Sequence, residues 1–175
     1  MSSYFIQQIK PLSAVDKGLY LVILHADVVP PHLGLIYEQK YFSLTVNGQT
    51  LGDDVVVLEK LILRKQIKTL FFKLTEKQNI LGKIKKVFEE KNRVEGEITC
   101  LYPIKMLFSE LYADTIASAR FIYEVLPELY MSNNVKAVFH SNMENEIIDD
   151  TFAFQKYTMD DILSRIQSYE TDGVC

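Results

Sequence analysis

The sequence predicts an α+β domain, an antiparallel sheet packed against helices. Three observations carry this. Leu19-Tyr20-Leu21-Val22-Ile23-Leu24 is a short continuous apolar run, the mark of a strand buried on both faces. Two apolar runs flank the polar cluster Glu38-Gln39-Lys40 and read as a hairpin. Elsewhere apolar residues recur at helical spacing, as in Ile80, Leu81, Ile84, Val87 and Phe88. Strands and helices recur without strict βαβ alternation, which favours α+β over α/β.

The hairpin spans residues 30–46. Pro30 and Pro31 cannot donate to a ladder, so they mark where its first strand begins. A loop of two residues (38–39) or four (37–40) gives one register. Ile36 then lies opposite Tyr41, Gly34 opposite Ser43, and His32 opposite Thr45. Glu-Gln is a poor match to the Gly- and Asn-rich two-residue turns, so the four-residue loop is preferred. Side chains alternate along a strand, which puts His32, Gly34, Ser43 and Thr45 on one face. Leu33, Leu35, Phe42, Leu44 and Val46 share the other, core-facing side. A three-residue loop would turn Ser43 to the wrong face.

The remaining elements follow in order. Residues 1–17 are irregular or a short strand. Asn47-Gly48 is a turn signal. Asp53-Asp54 precede a helix with Leu58, Leu61 and Ile62 on one face, although Val55-Val56-Val57 also suits a strand start. Residues 68–74 form a strand. Thr75 with Gln78 fits a capping box for the helix that Ile84 and Phe88 line. Thr99 caps a helix in which Pro103 falls in the first turn. A helix from about Thr115 to Val125 breaks near Pro127. Residues 135–140 and 151–155 are strands. A last helix begins near Thr158, with Ile162, Leu163 and Ile166 inward.

With 175 residues, 48% of them hydrophobic, the chain is most simply one domain. Its core is expected over about 18–112, with an α/β extension over about 113–170. The net charge of −4 argues against a nucleic-acid partner. Lys83, Lys85 and Lys86 are followed by glutamates and read as a solvated helix face. The acidic edge Glu144-Asn145-Glu146 with Asp149-Asp150 reads as a solvated loop. No signal peptide or transmembrane segment is expected, and a cytoplasmic location is the default. The two cysteines, Cys100 and Cys175, suggest no disulfide framework, and Cys175 falls in a terminal tail. His25, His32, His140 and Cys100 lack metal-ligand spacing, so neither metal nor cofactor is expected. His25 and His140 read as structural.

Chemistry centres on Cys100 and His32. A thiolate, not a thiol, is the nucleophile, and a helix N-terminus lowers a thiol's pKa. Cys100 would sit at such a start if Thr99 caps the helix. An imidazole within reach takes the thiol proton and later protonates the leaving group. Ser43 and Thr45, on the same face, are both placed to orient that imidazole. Thr45, Thr99 and Tyr102 flank the pair as candidate substrate contacts. The alternative is a packing role, since free cysteine is often a small buried hydrophobe.

His32-Leu-Gly-Leu-Ile-Tyr37, then Tyr41-Phe-Ser43, then Thr99-Cys100 at a helix start, resembles the circularly permuted NlpC/P60 papain-like group. That group includes YiiX-like and lecithin:retinol acyltransferase-like proteins. The resemblance covers about residues 18–112. It implies a papain-like core with Cys100 as nucleophile, His32 as general base and Ser43 as third residue. The implied activity is a cysteine hydrolase or acyltransferase, of amidase, peptidase or thioesterase type. It would act on an amide or (thio)ester of a small-molecule, peptide or acyl substrate. The chain departs from the pattern at Ser43, where His, Glu or another strongly polar group is usual. Lys17-Gly18-Leu19 stands where a Gly-Asp pair often opens the preceding strand. Leu-Tyr-Pro follows Cys100, where polar residues are common. The alternative function is a non-catalytic α+β interaction module in which Cys100 and His32 are structural.

Overall fold

The strand β3 (Leu19–Leu24) has every side chain buried, and the rest of the sheet is laid out from it. The computed structural model describes residues 2–172, so the expectation for Cys175 lies outside the described residues. β3 pairs antiparallel with β4 (His32–Tyr37) on one side and with β7 (Thr69–Leu74) on the other. β4 continues through β5 (Lys40–Thr45) to β6 (Gly48–Asp54) at one edge. β7 continues through β8 (Val135–Ser141) to β2 (Ile9–Pro11) at the other. The seven-stranded order is β2-β8-β7-β3-β4-β5-β6, antiparallel except for the parallel β2–β8 pair. β1 (Ser3–Ile6) and β9 (Phe152–Gln155) form a separate antiparallel pair. Because β8 lies between β2 and β7, the segment beyond residue 112 is built into the same sheet as the hairpin.

Helices cover both faces. α1 (Val55–Lys65) packs Val55, Leu58 and Ile62 against Tyr20, Val22, Ile36, Tyr41 and Phe71. On the opposite face, α2 (Leu81–Glu89), α3 (Leu101–Leu111), α4 (Ile122–Met131) and α5 (Met159–Asp172) close the larger core. That core takes Leu21, Ile23, Leu33, Leu35, Phe42 and Leu44 from the sheet. The faces follow strand alternation, so β3 supplies odd-numbered residues to one core and even-numbered residues to the other.

Several local expectations change. The hairpin loop is the two-residue form, with Tyr37 opposite Lys40 and with Glu38 and Gln39 at φ 48° and 63°. Neither residue favours that left-handed conformation, and tertiary bonds hold it. Glu38 N–H donates to Gly18 C=O, and Gln39 C=O accepts from Val55 N–H at 2.9 Å. Asp54 caps α1 through its carboxylate on Val56 N–H at 3.0 Å, so the Val55–Val57 run is helical and not a strand. Thr75 does not cap α2. Its N–H donates to Asn134 C=O, Tyr112 bonds its carbonyl, and the helix starts only after Ile80. Residues Asp114–Ser118 form a 3-10 turn rather than the start of a long helix. Pro127 lies inside α4, not beyond it. Glu124 anchors that helix's start by accepting from the N–H groups of Arg120 and Phe121. At α5, Thr158 and Asp161 cap each other reciprocally.

Candidate functional site

The site forms where β4 and β5 part. Their ladder runs from Tyr37–Lys40 to Gly34–Ser43 and stops there. The expected His32–Thr45 pair is not made, because Thr45 C=O accepts from Val94 N–H at 2.9 Å instead. His32 is still held on the other side, opposite Leu24 of β3. The segment after Val94 closes a small loop, in which Glu95 and Ile98 exchange two backbone bonds of 2.9 Å. It then delivers Cys100 to the opened strand ends. The cap position of α3 is Cys100 rather than the expected Thr99, and no side chain makes a capping bond there; the Thr99 hydroxyl accepts from Leu101 N–H at 3.3 Å just ahead of the helix. Cys100 is therefore the residue immediately before the first helical residue of α3.

Cys100, His32, Ser43 and Thr45 line one cavity of about 440 Å³. Its walls are mostly apolar, with Leu24, Leu33 and Leu44 from the sheet and Ile162 and Ile166 from α5. Strand alternation carries His32 and Ser43 toward the α1 face, while Cys100 packs against the core on the other face. Thiol and imidazole thus reach the cavity around the end of β4 from opposite sides. Among the described residues no hydrogen bond joins Cys100 to His32, and none joins Ser43 to His32.

The electrostatics reverse one expectation. The Cys100 thiol is not lowered but pushed up to about 11. Burial is the largest cause, and it outweighs the N–H groups of Leu33, Cys100 and Leu101, which favour the thiolate. His32 is pushed down to about 4, first by burial and then by the like charge of His25. Both groups are therefore neutral at pH 7, and they form no ion pair.

The other expected contacts divide. Thr45 lines the cavity, but its hydroxyl closes the β5–β6 turn, donating to Gly48 C=O at 3.1 Å and accepting from Asn47 N–H at 3.2 Å. Thr99 lines the cavity and also a smaller cleft of about 240 Å³. Tyr102 lines only that second cleft. Its hydroxyl donates to Glu90 at 2.6 Å, so it is not a contact of the Cys100 cavity.

Several lining residues escaped the sequence reading. His25, read as structural, lines the cavity together with Arg120, Arg165 and Tyr157. Partial burial lowers the His25 pKa, against the pull of Asp27. These residues come from three separate segments, and no spacing in the chain links them. Tyr41 was readable as a strand residue two positions before Ser43, but not as a cavity residue. His140 is buried on β8 opposite Leu70 and does not line the cavity. Among the described residues no three His, Cys, Asp or Glu side chains cluster so as to hold a metal ion. Among the same residues no helix is long and apolar enough to cross a membrane.

Compared with protein-family models, with curated proteins and with solved structures, the chain matches none.

Proposed function

We propose that the chain is a cysteine-dependent hydrolase or acyltransferase that takes an amide or (thio)ester into the cavity at the end of β4 and β5. The observation that carries this reading is that Cys100, at a helix start, and His32 line one mostly apolar cavity. An antiparallel sheet bearing the histidine and a helix opened by the cysteine support the likeness to the permuted papain-like group.

The neutral pair defines the chemistry. His32 takes the thiol proton as Sγ attacks the carbonyl carbon, so no resting thiolate is required. Backbone N–H groups at the α3 start face the oxyanion that forms. The intermediate collapses, His32 returns the proton to the leaving amine, alcohol or thiol, and a thioester remains on Cys100. Water or an acceptor then attacks that thioester, with His32 taking its proton and passing it to the departing sulfur. Incubation with p-nitrophenyl butyrate tests this. Wild type should release p-nitrophenol and carry a butyryl group on Cys100 by mass spectrometry. Cys100→Ala should abolish both, and His32→Ala should slow release roughly 10²–10⁴-fold. Turnover unchanged in Cys100→Ala overturns the reading.

A second reading rests on the same electrostatics. A thiol pushed up to about 11 and an imidazole pushed down to about 4 are also what inert packing residues show. On this reading the cavity belongs to a binding module. Ligand binding without acylation of Cys100 would favour it.

A further inference from the structure

Tyr41 carries a buried hydroxyl that has no hydrogen-bond partner among the described residues. It is 7% exposed and lines the same cavity as Cys100. An unpaired buried hydroxyl is costly, and its persistence calls for a reason. The ring is held there by Gly34. A Cβ on Gly34 would come within 2.4 Å of the Tyr41 ring and 2.6 Å of its oxygen, so only glycine at that position lets the ring cross β4. Ser43 is two residues further along β5, on the same face, and its hydroxyl lies beside that of Tyr41. Ser43 is itself buried and lines the cavity. Two hydroxyls therefore stand together in a mostly apolar wall, and a hydrogen bond from one to the other still leaves one hydrogen without an acceptor.

We propose that the Tyr41 and Ser43 hydroxyls form the polar anchor of this cavity, and that its ligand is an apolar molecule carrying a carbonyl oxygen to which they donate. This deepens the proposed function, on which its chemical relevance rests, by assigning Ser43 to the substrate carbonyl rather than to His32. Tyr41, Gly34 and Ser43 then act as one unit: glycine makes the space, tyrosine fills it, and the adjacent hydroxyls present a hydrogen to one oxygen. A hydrocarbon of the same shape would fill the cavity but leave a hydroxyl hydrogen unpaired. The anchor is thus a device for discrimination as well as affinity.

The test uses acetophenone and ethylbenzene, which differ by the carbonyl and which a thiol cannot acylate itself with. Binding is measured by NMR titration on wild type, Tyr41→Phe and Ser43→Ala. Wild type should bind acetophenone roughly tenfold more tightly than ethylbenzene. Tyr41→Phe should remove most of that preference and leave ethylbenzene binding unchanged, and Ser43→Ala should remove part of it. The infrared carbonyl stretch of bound acetophenone should fall in wild type and return toward its apolar-solvent position in Tyr41→Phe. Thermal unfolding of Tyr41→Phe should occur at the wild-type temperature or above, since an unpaired buried hydroxyl has been removed. Equal affinity for the two probes in wild type, no binding of either, or a preference that survives Tyr41→Phe overturns the proposal. Neither probe reports acyl transfer, so loss of the proposed reaction at Cys100 and loss of this anchor are read separately.

Discussion

The titration of Cys100 is the most direct consequence of its burial. In a Cys175→Ser background Cys100 is the remaining thiol, and its alkylation by iodoacetamide can be followed from pH 6 to 11. With its pKa pushed up to about 11, the rate should still be climbing at the top of that range. An ordinary peptide cysteine titrates near ~8.5, so Cys100 should hold roughly 300-fold less thiolate at pH 7 than such a thiol. His32→Ala should leave the profile where it is. With its own pKa near 4, His32 carries no charge where the thiol titrates, so its removal takes away no electrostatic partner. The same displacement enters stability. Below ~8.5 the thiol is protonated in folded and unfolded chains alike, and its contribution is fully present. Above that, the unfolded chain loses its proton first, so stability should fall by up to about 1.4 kcal/mol per pH unit until the folded thiol titrates. A midpoint at or below that of a cysteine in a short, amide-capped peptide, or one that His32→Ala moves upward, would refute the reasoning and restore an ion pair.

Other outcomes follow from single features. His32 has the opposite sign. Its folded pKa is lowered, so the stability it contributes is present above pH ~6.5 and is lost as pH falls toward 4, by up to about 1.4 kcal/mol per unit. Urea unfolding at pH 7 and pH 4.5 should show this loss in wild type and a smaller one in His32→Gln; parallel profiles would refute it. Gly34→Ala should destabilise by about 1–3 kcal/mol because its Cβ overlaps the Tyr41 ring. In a double-mutant cycle with Tyr41→Ala the two losses should be less than additive; strict additivity would show that the ring does not set the cost. Asp54→Ala should lower stability by about 1 kcal/mol through loss of the α1 cap, measured by chemical denaturation, and Asp54→Ser should restore most of it.

Periodicity alone determined the frame of this protein. The run Leu19–Leu24 could be satisfied only by burial on both faces, and it is the strand from which the sheet is laid out. Alternation fixed the parity of the hairpin, so Gly34 and Ser43 share a face whether the loop has two residues or four. Asp54 announced its helix because a cap is local chemistry between neighbours in the chain. What failed locally was overridden from a distance. Thr75 has the residues of a cap, yet Asn134 takes its N–H. Glu38 and Gln39 lack the usual turn chemistry, yet Gly18 and Val55 hold them in it. The site depended on such distant events more heavily still. No pattern within 94–100 says that Val94 will claim the Thr45 carbonyl, part the strands and bring Cys100 around the end of β4. Nor does spacing tell whether a thiol at a helix start is solvated or buried. A dipole acts through neighbours along the chain, whereas desolvation depends on everything packed around the sulfur, and here packing prevails. The sequence by itself therefore determined which residues share a strand face. Only the tertiary structure decided which faces meet, and with that the charge state of the two groups that line the cavity.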